Sequence, residues 1–214
     1  ASVVSGGSFN TSSGYYTTIG GGYNHTASGY YATIGGGLSN TASGAYCSIG
    51  GGGENTASAY YATIAGGSNN TASGLFTAIN GGHFNTVDGN YSTISGGYGN
   101  TASGEYATVG GQGNTAGDGE TVFGQYATVG TARAFAIGAG TVGTPRNVLE
   151  VYKSSGVVLN PASQPGETIA GMMYYDSTEN RIKFYNGVEW LGIGDDPTTV
   201  QGEVGNFNGT DNTI

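Results

Sequence analysis

Positive charge is almost missing from this chain. It has five lysine and arginine residues in 214 positions, and the first of them is Arg133. Fourteen acidic residues bring the net charge to −9. This balance excludes a basic surface for nucleic acid or for an anionic membrane, so we expect no nucleic-acid partner.

Cysteine, proline and long apolar runs are also scarce. The single cysteine, Cys47, excludes an internal disulfide framework, and we interpret it as a small buried residue. Four prolines, and glycines that do not recur at every third position, exclude collagen. No stretch reaches the roughly 18 apolar residues of a membrane helix, so we expect no membrane insertion. No initiator methionine or signal peptide stands at Ala1, and we expect a processed piece of a longer protein.

An isoleucine recurs every fifteen residues through the first half of the chain. Such a period indicates a repeat architecture, in which each unit is stable only when stacked on its neighbours. The 44 glycines would also fit disorder, but the periodic apolar positions and 16 tyrosines argue against it. The column consists of Ile19, Ile34, Ile49, Ile64, Ile79 and Ile94, with Val4 before it and Val109 after it.

Each repeat is a version of Y-A-T-I-G-G-G-x-x-N-T-A-S-G-x. The alternation in Y-A-T-I predicts a short strand with alanine and isoleucine on one face and tyrosine and threonine on the other. Three glycines predict a sharp reversal, and N-T-A-S-G predicts a second, shorter strand with its alanine, such as Ala42, inward. Asparagine recurs from Asn10 to Asn100 and is replaced only by His25, which predicts a hydrogen-bonded ladder rather than a ligand site.

The fold class that follows is all-β, a parallel β-roll or solenoid of fifteen-residue coils. Its interior holds little more than one isoleucine and two small residues per coil, which is marginal for a lone chain. We therefore expect self-association with cyclic symmetry. After Val109 the register slips, since Val122 comes thirteen residues on and Ile137 fifteen after that. We interpret Val122 to Gly138 as an atypical terminating coil.

The repeated A-T-I-G-G-G-x-x-N-T-A-S-G and the segment A-F-A-I-G-A-G-T, Ala134 to Thr141, resemble the head repeats of trimeric autotransporter adhesins. The resemblance covers residues 1–143. It implies a left-handed parallel β-roll, with about one repeat per coil, that assembles as an intertwined homotrimer. The fifteen-residue period and the triple glycines differ from the adhesin pattern.

Residues 144–194 predict a small antiparallel β-hairpin domain. Met173–Tyr175 and Ile182–Tyr185 flank the turn D-S-T-E-N, and N-G predicts a second tight turn before Trp190, which we interpret as a core anchor. The segment Y-Y-D-S-T-E-N-R-I-K-F-Y-N-G-V-E-W is similar to small β-domains of tailed-phage fibre and tail proteins. Residues 195–214 are interpreted as an acidic polar tail or linker. Together the resemblances imply a trimeric fibre of a phage or similar virion.

Variable positions beside the glycine turns are the candidate contact residues, because the scaffold constrains the others. They lie four, five and eleven residues after each isoleucine, and we expect them on exposed coil edges. Tyrosine and asparagine are adaptable contact residues that suit the rings and hydroxyls of a host cell-surface polysaccharide. The candidate ligand-binding residues are Tyr23, Tyr30, Tyr60, His83, Phe84 and Tyr98. The open alternatives are solvated coil edges or cover for a trimer seam.

Enzymatic activity is the contrasting class, and we expect none. Polysaccharide-cleaving spikes use carboxylate pairs, and the sole candidate pair is Asp118 and Glu120, about 7 Å apart if their segment is extended. We interpret both as solvated turn residues. His25 and His83 have no local metal-ligand spacing and no cysteine partner, so we expect neither a metal nor a cofactor.

The function favoured by the sequence is a structural and adhesive segment of a trimeric virion fibre. Its expected location is the virion exterior, and its expected partners are a homotrimer, a host polysaccharide and other virion proteins. A bacterial surface adhesin head is the alternative. An ice-binding solenoid is a further class, but one of the two threonine columns is broken by Ser48 and Ala78.

Overall fold

A computed structural model describes residues 1–127, 133–139, 141, 147–152, 157–159, 173–176, 181–185 and 190–193 of the chain. Every regular element in these residues is a β-strand. The chain divides into two compact units, Ala1–Val157 and Val158–Ile214. The predicted tail at 195–214 lies outside the described residues, and the predicted boundary between 143 and 144 stays a prediction.

The first unit is a parallel β-solenoid, as the fifteen-residue period predicts. Each regular coil contributes one strand to each of two sheets, and equivalent residues of successive coils pair in parallel register. The first sheet contains β1 (Val3–Val4), β3 (Thr18–Ile19), β5 (Thr33–Ile34), β7 (Ser48–Ile49), β9 (Thr63–Ile64), β11 (Ala78–Ile79), β13 (Thr93–Tyr98), β15 (Thr108–Gln112), β17 (Thr121–Gln125), β18 (Arg133–Ala139) and, antiparallel to β18, β19 (Asn147–Tyr152). The second sheet contains β2 (Thr11–Ser12), β4 (Thr26–Ala27), β6 (Thr41–Ala42), β8 (Thr56–Ala57), β10 (Thr71–Ala72), β12 (Thr86–Val87), β14 (Thr101–Ala102) and β16 (Thr115–Ala116). Strand β20 covers Val157–Leu159.

Four columns of side chains fill the solenoid. The isoleucines of the first sheet, the alanines of the second sheet, the small residues two positions before each isoleucine and the asparagines are buried. Each isoleucine contributes about 1.5–3 kcal/mol through its burial. Cys47 lies in the small column, as predicted, and burial raises the pKa of its thiol to about 11.

The aromatic residue of Y-A-T-I does not belong to the strand. The predicted alternation is confirmed, since Ala32 and Ile34 are buried while Tyr31 and Thr33 are exposed. The strand, however, holds only the last two residues of the four. Tyr31 stands in the preceding turn with a left-handed φ of 56°, and its backbone N–H donates to the carbonyl of Tyr15 in the previous coil. The turn therefore takes two residues that the periodicity assigned to the strand.

The asparagine column forms the ladder that the sequence predicts. Asn55 Oδ1 accepts a hydrogen bond from the backbone N–H of Asn70 at 3.0 Å. Asn55 Nδ2 donates to the carbonyls of Gly51 in its own coil, at 3.1 Å, and Gly67 in the next, at 2.9 Å. Each such hydrogen bond contributes about 1 kcal/mol. The ladder therefore supplements the small apolar core.

His25 interrupts this ladder. The ring is fully buried, and Nδ1 accepts a hydrogen bond from the backbone N–H of Asn40 at 3.0 Å. The neutral ring therefore carries its proton on Nε2. Nε2 has no hydrogen-bond partner in the described part of the chain. By analogy with the other coils, the carbonyls of Gly21 and Gly37 lose the amide donor that an asparagine would supply.

The third glycine of each turn is required by the spacing between coils. Gly22 and Gly37 have left-handed φ values of 99° and 102°. A Cβ at either position would overlap the carbonyl oxygen of the equivalent glycine in the next coil. The middle position is less restricted, since an added Cβ at Gly36 meets nothing closer than 3.8 Å. A Cβ at Gly35, in the first position, would also closely approach the next coil, at the carbonyl oxygen of Gly50, but the first position is not left-handed and Ala65 occupies it. The third position alone combines the close approach with a left-handed φ.

The coils shorten after Val109, as the register slip predicts. Gly97 pairs with Gly111 fourteen residues later, so one residue is lost in the glycine turn. Val109 pairs with Val122 thirteen residues later, so a second residue is lost before the next strand of the first sheet. Both losses fall in turns, which leaves the buried columns continuous.

The predicted place of Ile137 in the isoleucine column is wrong. Val122 pairs with Ala136, which is buried, whereas Ile137 pairs with Phe123 and is half-buried. Neighbouring residues of a strand face opposite sides, so a register shift of one residue exchanges inside and outside. The alternating apolar sequence of β18 gives no signal that distinguishes the two registers.

The second unit contains the predicted antiparallel strands. They are β21 (Met173–Asp176), β22 (Arg181–Tyr185) and β23 (Trp190–Ile193), paired in that order. Tyr175 lies opposite Ile182 and Tyr185 lies opposite Trp190, as two consecutive hairpins require. The core role of Trp190 stays a prediction, as do the left-handed sense and trimeric state of the solenoid.

Replacing His25 with asparagine should stabilise the solenoid. The amide would donate to the Gly21 and Gly37 carbonyls and remove the orphaned ring N–H, so we expect the free energy of unfolding to rise by about 1 kcal/mol. Urea denaturation followed by circular dichroism measures the change. The matched control, Asn55→His, should lower stability by a similar amount, and a lower stability in His25→Asn would contradict the ladder geometry.

Candidate functional site

Seven aromatic residues in successive coils form a continuous stack on the outside of the solenoid. Neighbouring ring centroids are 4.8–5.3 Å apart, and their planes are between 4° and 16° from parallel. We call this column the aromatic ladder; it consists of Tyr16, Tyr31, Tyr46, Tyr61, Phe76, Tyr91 and Tyr106. Aromatic pairs contribute about 0.5–1.5 kcal/mol beyond their burial, so the ladder stabilises the turns that carry it.

The backbone of the ladder residues is strained. Every one of them has a left-handed φ between 54° and 59°. This conformation costs a residue other than glycine roughly 1–2 kcal/mol, and a bulky residue in it is an outlier. Stacking offsets part of that cost. An aromatic residue repeated at a position better suited to glycine or asparagine indicates that the ring itself has a role.

Two further tyrosines stand edge-on against the ladder. Tyr30 lies 4.6 Å from Tyr31 and Tyr60 lies 4.5 Å from Tyr61, each with the ring planes 87° apart. The faces of the inner ladder rings are covered by the rings above and below them. The outward surface of the ladder therefore consists of ring edges and hydroxyl groups rather than open ring faces.

The phenols of this cluster resist ionisation. Partial burial raises the pKa of Tyr31, and the neighbouring Tyr30 phenol raises it further. Partial burial likewise raises the pKa of Tyr60, with a further contribution from Tyr61. The neutral phenol is thus the form that the folded ladder favours.

A second outward surface runs along the glycine turns. We call it the glycine-turn edge and define it as the residues four and five positions after each isoleucine. Parallel bridges join the first of these positions from coil to coil, from Ser8 to Tyr98. The second position is left-handed in every coil from Phe9 to Gly99, with φ between 51° and 63°. Side chains at both positions are therefore held at fixed intervals.

Four of the six predicted contact residues lie on this edge. The rings of His83 and Phe84 stack at 4.0 Å, and Tyr98 stands edge-on to them at 5.7 and 5.9 Å. Tyr23 lies four coils from His83 and contacts Phe9 at 5.3 Å. The other two, Tyr30 and Tyr60, belong to the ladder surface. The structure thus brings three of the six together and separates the rest.

Small and polar residues occupy the edge between Leu38 and the His83–Phe84–Tyr98 cluster. We call this segment the notch; it consists of Gly53, Glu54, Ser68 and Asn69. Leu38 and His83 are three coil steps apart, which corresponds to about 14 Å. The notch is therefore bounded by apolar side chains at both ends.

Polar side chains in the notch have no partners, unlike some other polar side chains along the edge. Asn24 Nδ2 donates to Ser39 Oγ at 3.1 Å, and Gln112 Nε2 donates to the hydroxyl of Tyr126 at 2.9 Å. Within the described residues, the side chains of Glu54, Ser68 and Asn69 make no hydrogen bond or ion pair. Their donors and acceptors are available to a ligand.

The candidate carboxylate pair does not have the expected arrangement. Asp118 and Glu120 lie in a turn rather than in an extended strand. Asp118 is exposed and accepts a hydrogen bond from the backbone N–H of Glu105 at 2.9 Å. Glu120, which we predicted to be solvated, is buried, and Oε2 accepts from the backbone N–H of Gly117 at 2.8 Å. Glu120 therefore fixes the turn instead of facing a substrate.

Metal-binding clusters and membrane-spanning helices are both absent from the residues that the structure describes. These ranges contain no group of three or more histidine, cysteine, aspartate or glutamate side chains placed to hold a metal ion. They also contain no helix long and apolar enough to cross a membrane.

No protein-family model matches the chain, and no curated protein sequence matches it.

Sequence reasoning missed the continuous ladder and the notch. The aromatic column is evident in the sequence, but the Y-A-T-I pattern predicts that it belongs to a strand. In the structure it lies in a turn, and the turn conformation is what stacks its rings. The notch had a weaker signal, the small residues Gly53 and Ser68 in a column that elsewhere holds Tyr23, Leu38 and Tyr98.

Alkaline pH should destabilise the ladder. The folded pKa values of Tyr31 and Tyr60 are raised above the unfolded value of about 10, so their contribution to stability is present below about pH 10 and lost as the pH rises through the folded values. We expect the unfolding temperature to fall above about pH 10, and to fall less in the double variant Tyr31→Phe/Tyr60→Phe. Phe76→Tyr, which adds a phenol, should steepen the fall. Equal pH profiles for the three proteins would disprove the assignment.

Proposed function

We propose that this chain is a structural and adhesive segment of a trimeric fibre of a phage or similar virion, and that it presents a face for a host-surface glycan. The observation that carries the proposal is the aromatic ladder, which repeats along the solenoid in seven successive coils. A column of this kind suits an assembly whose axis runs parallel to the solenoid, because every coil then makes the same contact.

The exposed area of the ladder supports self-association. Its rings are between 37% and 62% exposed. At about 150–250 Å² per aromatic side chain, the seven rings leave about 650 Å² in contact with water. The largest apolar patch on a soluble monomer is about 300–600 Å², and a stable interface buries about 800 Å² per partner. With Tyr15, Tyr30 and Tyr60 beside it, the ladder surface reaches that size.

The charge distribution supports the same assignment. No lysine or arginine precedes Arg133, and the acids in residues 1–127 are Glu54, Asp88, Glu105, Asp118 and Glu120. Of these, only Glu105 directly precedes a ladder residue, Tyr106. Packing the ladder against another copy therefore desolvates few charges, and desolvated charges are the costly part of an interface.

The glycine-turn edge is the better candidate for glycan contact. Its residues change from coil to coil, which suits local recognition, whereas the ladder presents the same residue type throughout. The inner ladder rings are stacked on both faces, whereas Phe84 stacks on a single ring, His83, and a sugar packs on an open face. We therefore assign Tyr23, His83, Phe84 and Tyr98 to the outward glycan face, and Tyr30 and Tyr60 to the association surface.

Ice binding is a second candidate, favoured by the second sheet. Its threonine column is unbroken from Thr11 to Thr115, one per coil, and lies in register. The following outward position is serine in most coils, and Asp88 interrupts that column. Thermal hysteresis of the intact chain separates the candidates, since a fibre segment should show none.

The native mass in solution tests the trimer. We expect light scattering to give about three times the chain mass of 21.4 kDa. The double variant Tyr46→Ser/Tyr61→Ser removes two central ladder rings and should shift the mass towards the monomer. The pair Tyr46→Phe/Tyr61→Phe keeps the stack, as Phe76 does, and should stay trimeric.

Tyr23→Ser/Tyr98→Ser serves as the matched control for this experiment. It removes two tyrosines of similar exposure from the glycine-turn edge and should leave the mass unchanged. A native protein that sediments and scatters as a 21.4 kDa monomer would overturn the trimeric fibre.

A further inference from the structure

We propose that the notch on the glycine-turn edge is the binding site for an uncharged oligosaccharide segment, with Phe84 as its aromatic wall. The inference rests on the proposed function and deepens it by naming the site and the class of glycan. Three observations carry it: the shape of the edge, the unpartnered polar groups, and a mismatch between Phe84 and its backbone.

The shape is a gap between two apolar boundaries. Leu38 and His83 carry large side chains at the first position of this edge, whereas Gly53 and Ser68 between them have none or a small one. The surface is therefore lower at these two coils than at the coils on either side. An added Cβ at Gly53 would meet nothing closer than 3.8 Å, so glycine is not required there for packing. The backbones of Leu38 and His83 are about 14 Å apart, and the space between their side chains suits a short run of sugar rings.

The polar groups match the chemistry of a sugar. The Glu54 carboxylate accepts hydrogen bonds, while the Ser68 hydroxyl and the Asn69 amide both donate and accept them. Sugar hydroxyls supply the complementary donors and acceptors, and the apolar face of a sugar ring packs on an aromatic side chain. Phe84, in the coil next to the notch, is about half exposed and supplies that surface. A few polar groups between apolar walls are typical of small-ligand sites.

The charge of the edge selects against acidic glycans. The notch contains one carboxylate, Glu54, and residues 1–127 contain no lysine or arginine. A glycan that carries carboxylates or sulfates would meet repulsion from Glu54 and no compensating cation. An uncharged glycan meets neither penalty.

Phe84 does not suit its backbone. It has a left-handed φ of 54°, a conformation that favours glycine and asparagine. Equivalent positions hold Asn24, Asn69 and Gly99, which adopt that conformation easily. His83 and Tyr98 pack against part of the Phe84 ring, but the ring covers no core residue and about half of it stays exposed. Contact of this exposed part with a ligand explains a phenylalanine at a position where asparagine fits better.

Two substitutions test the site without damaging the fold. Phe84→Asn introduces the residue found at equivalent positions, so the unfolding midpoint should be unchanged or higher. Gly53→Leu introduces the residue of the preceding coil, Leu38, and fills the notch. Each variant has a control in the first coil at the same position of the repeat, Phe9→Asn and Ser8→Leu.

Binding is measured with the full chain on a panel of immobilised uncharged glucans, mannans and galactans beside the acidic alginate and hyaluronate. We expect an uncharged glycan to bind, and both notch variants to lose at least tenfold in affinity while both controls retain the wild-type value. Glu54→Gln should weaken binding less than Phe84→Asn, because it keeps an acceptor oxygen.

The other outcomes separate this inference from the proposed function. Uncharged glycans that bind the notch variants as tightly as wild type would overturn the notch and leave the glycan function in place. Binding confined to the acidic glycans would overturn the uncharged class. Binding to no member of the panel would overturn both the notch and the glycan face.

Discussion

Backbone hydrogen bonds between successive coils set the spacing of every other feature of the solenoid. Each strand pairs with its equivalent in the next coil, and the turns do the same, as where the N–H of Gly35 donates to the carbonyl of Ile49 at 2.9 Å. Parallel pairing fixes a step of about 4.8 Å. The third glycine of each turn combines a left-handed φ with an approach to the next coil that leaves no room for a Cβ. The ladder rings, 4.8–5.3 Å apart, inherit the same step.

The interior shows how one hydrogen-bonded column supplements a small apolar core. Burial of one isoleucine and two small residues per coil is less than a globular domain of this length would have. Asparagine amides bond three backbone groups each and thereby join consecutive coils. The inward residues are therefore under two constraints at once, size and hydrogen-bonding pattern, which explains why the outward residues vary and the inward ones do not.

Much of the fold could be predicted from the sequence, because periodicity reports burial directly. The isoleucine and asparagine columns and the inward alanine of the second strand are all in the structure as expected. Turn conformation could not be predicted, since nothing in Y-A-T-I indicates that Tyr31 adopts a left-handed φ. The prediction of the register of β18 failed for a related reason. Apolar residues occupy both faces of that strand, so its pattern does not show whether Ala136 or Ile137 faces the core.

The candidate site was predictable only in part. Variable columns beside the glycine turns were found from the repeat alone, because positions that carry no core side chain are free to differ. Their grouping depends on which coils are neighbours and which side chains pair within the edge. His83, Phe84 and Tyr98 come together because one coil step separates them, whereas Tyr23 has the same position in its repeat and lies four steps away.

Nearest-neighbour contact between coils has a genetic consequence. Unequal recombination between such similar repeats adds or removes whole fifteen-residue units, and each exchange changes the length of the rod by about 4.8 Å. The aromatic ladder and the asparagine ladder remain continuous after such an exchange, because every unit carries one aromatic ring and every unit except the one with His25 carries the asparagine. The notch spans only two coils, so an exchange elsewhere in the repeats changes the length of the rod and leaves this recognition surface unchanged.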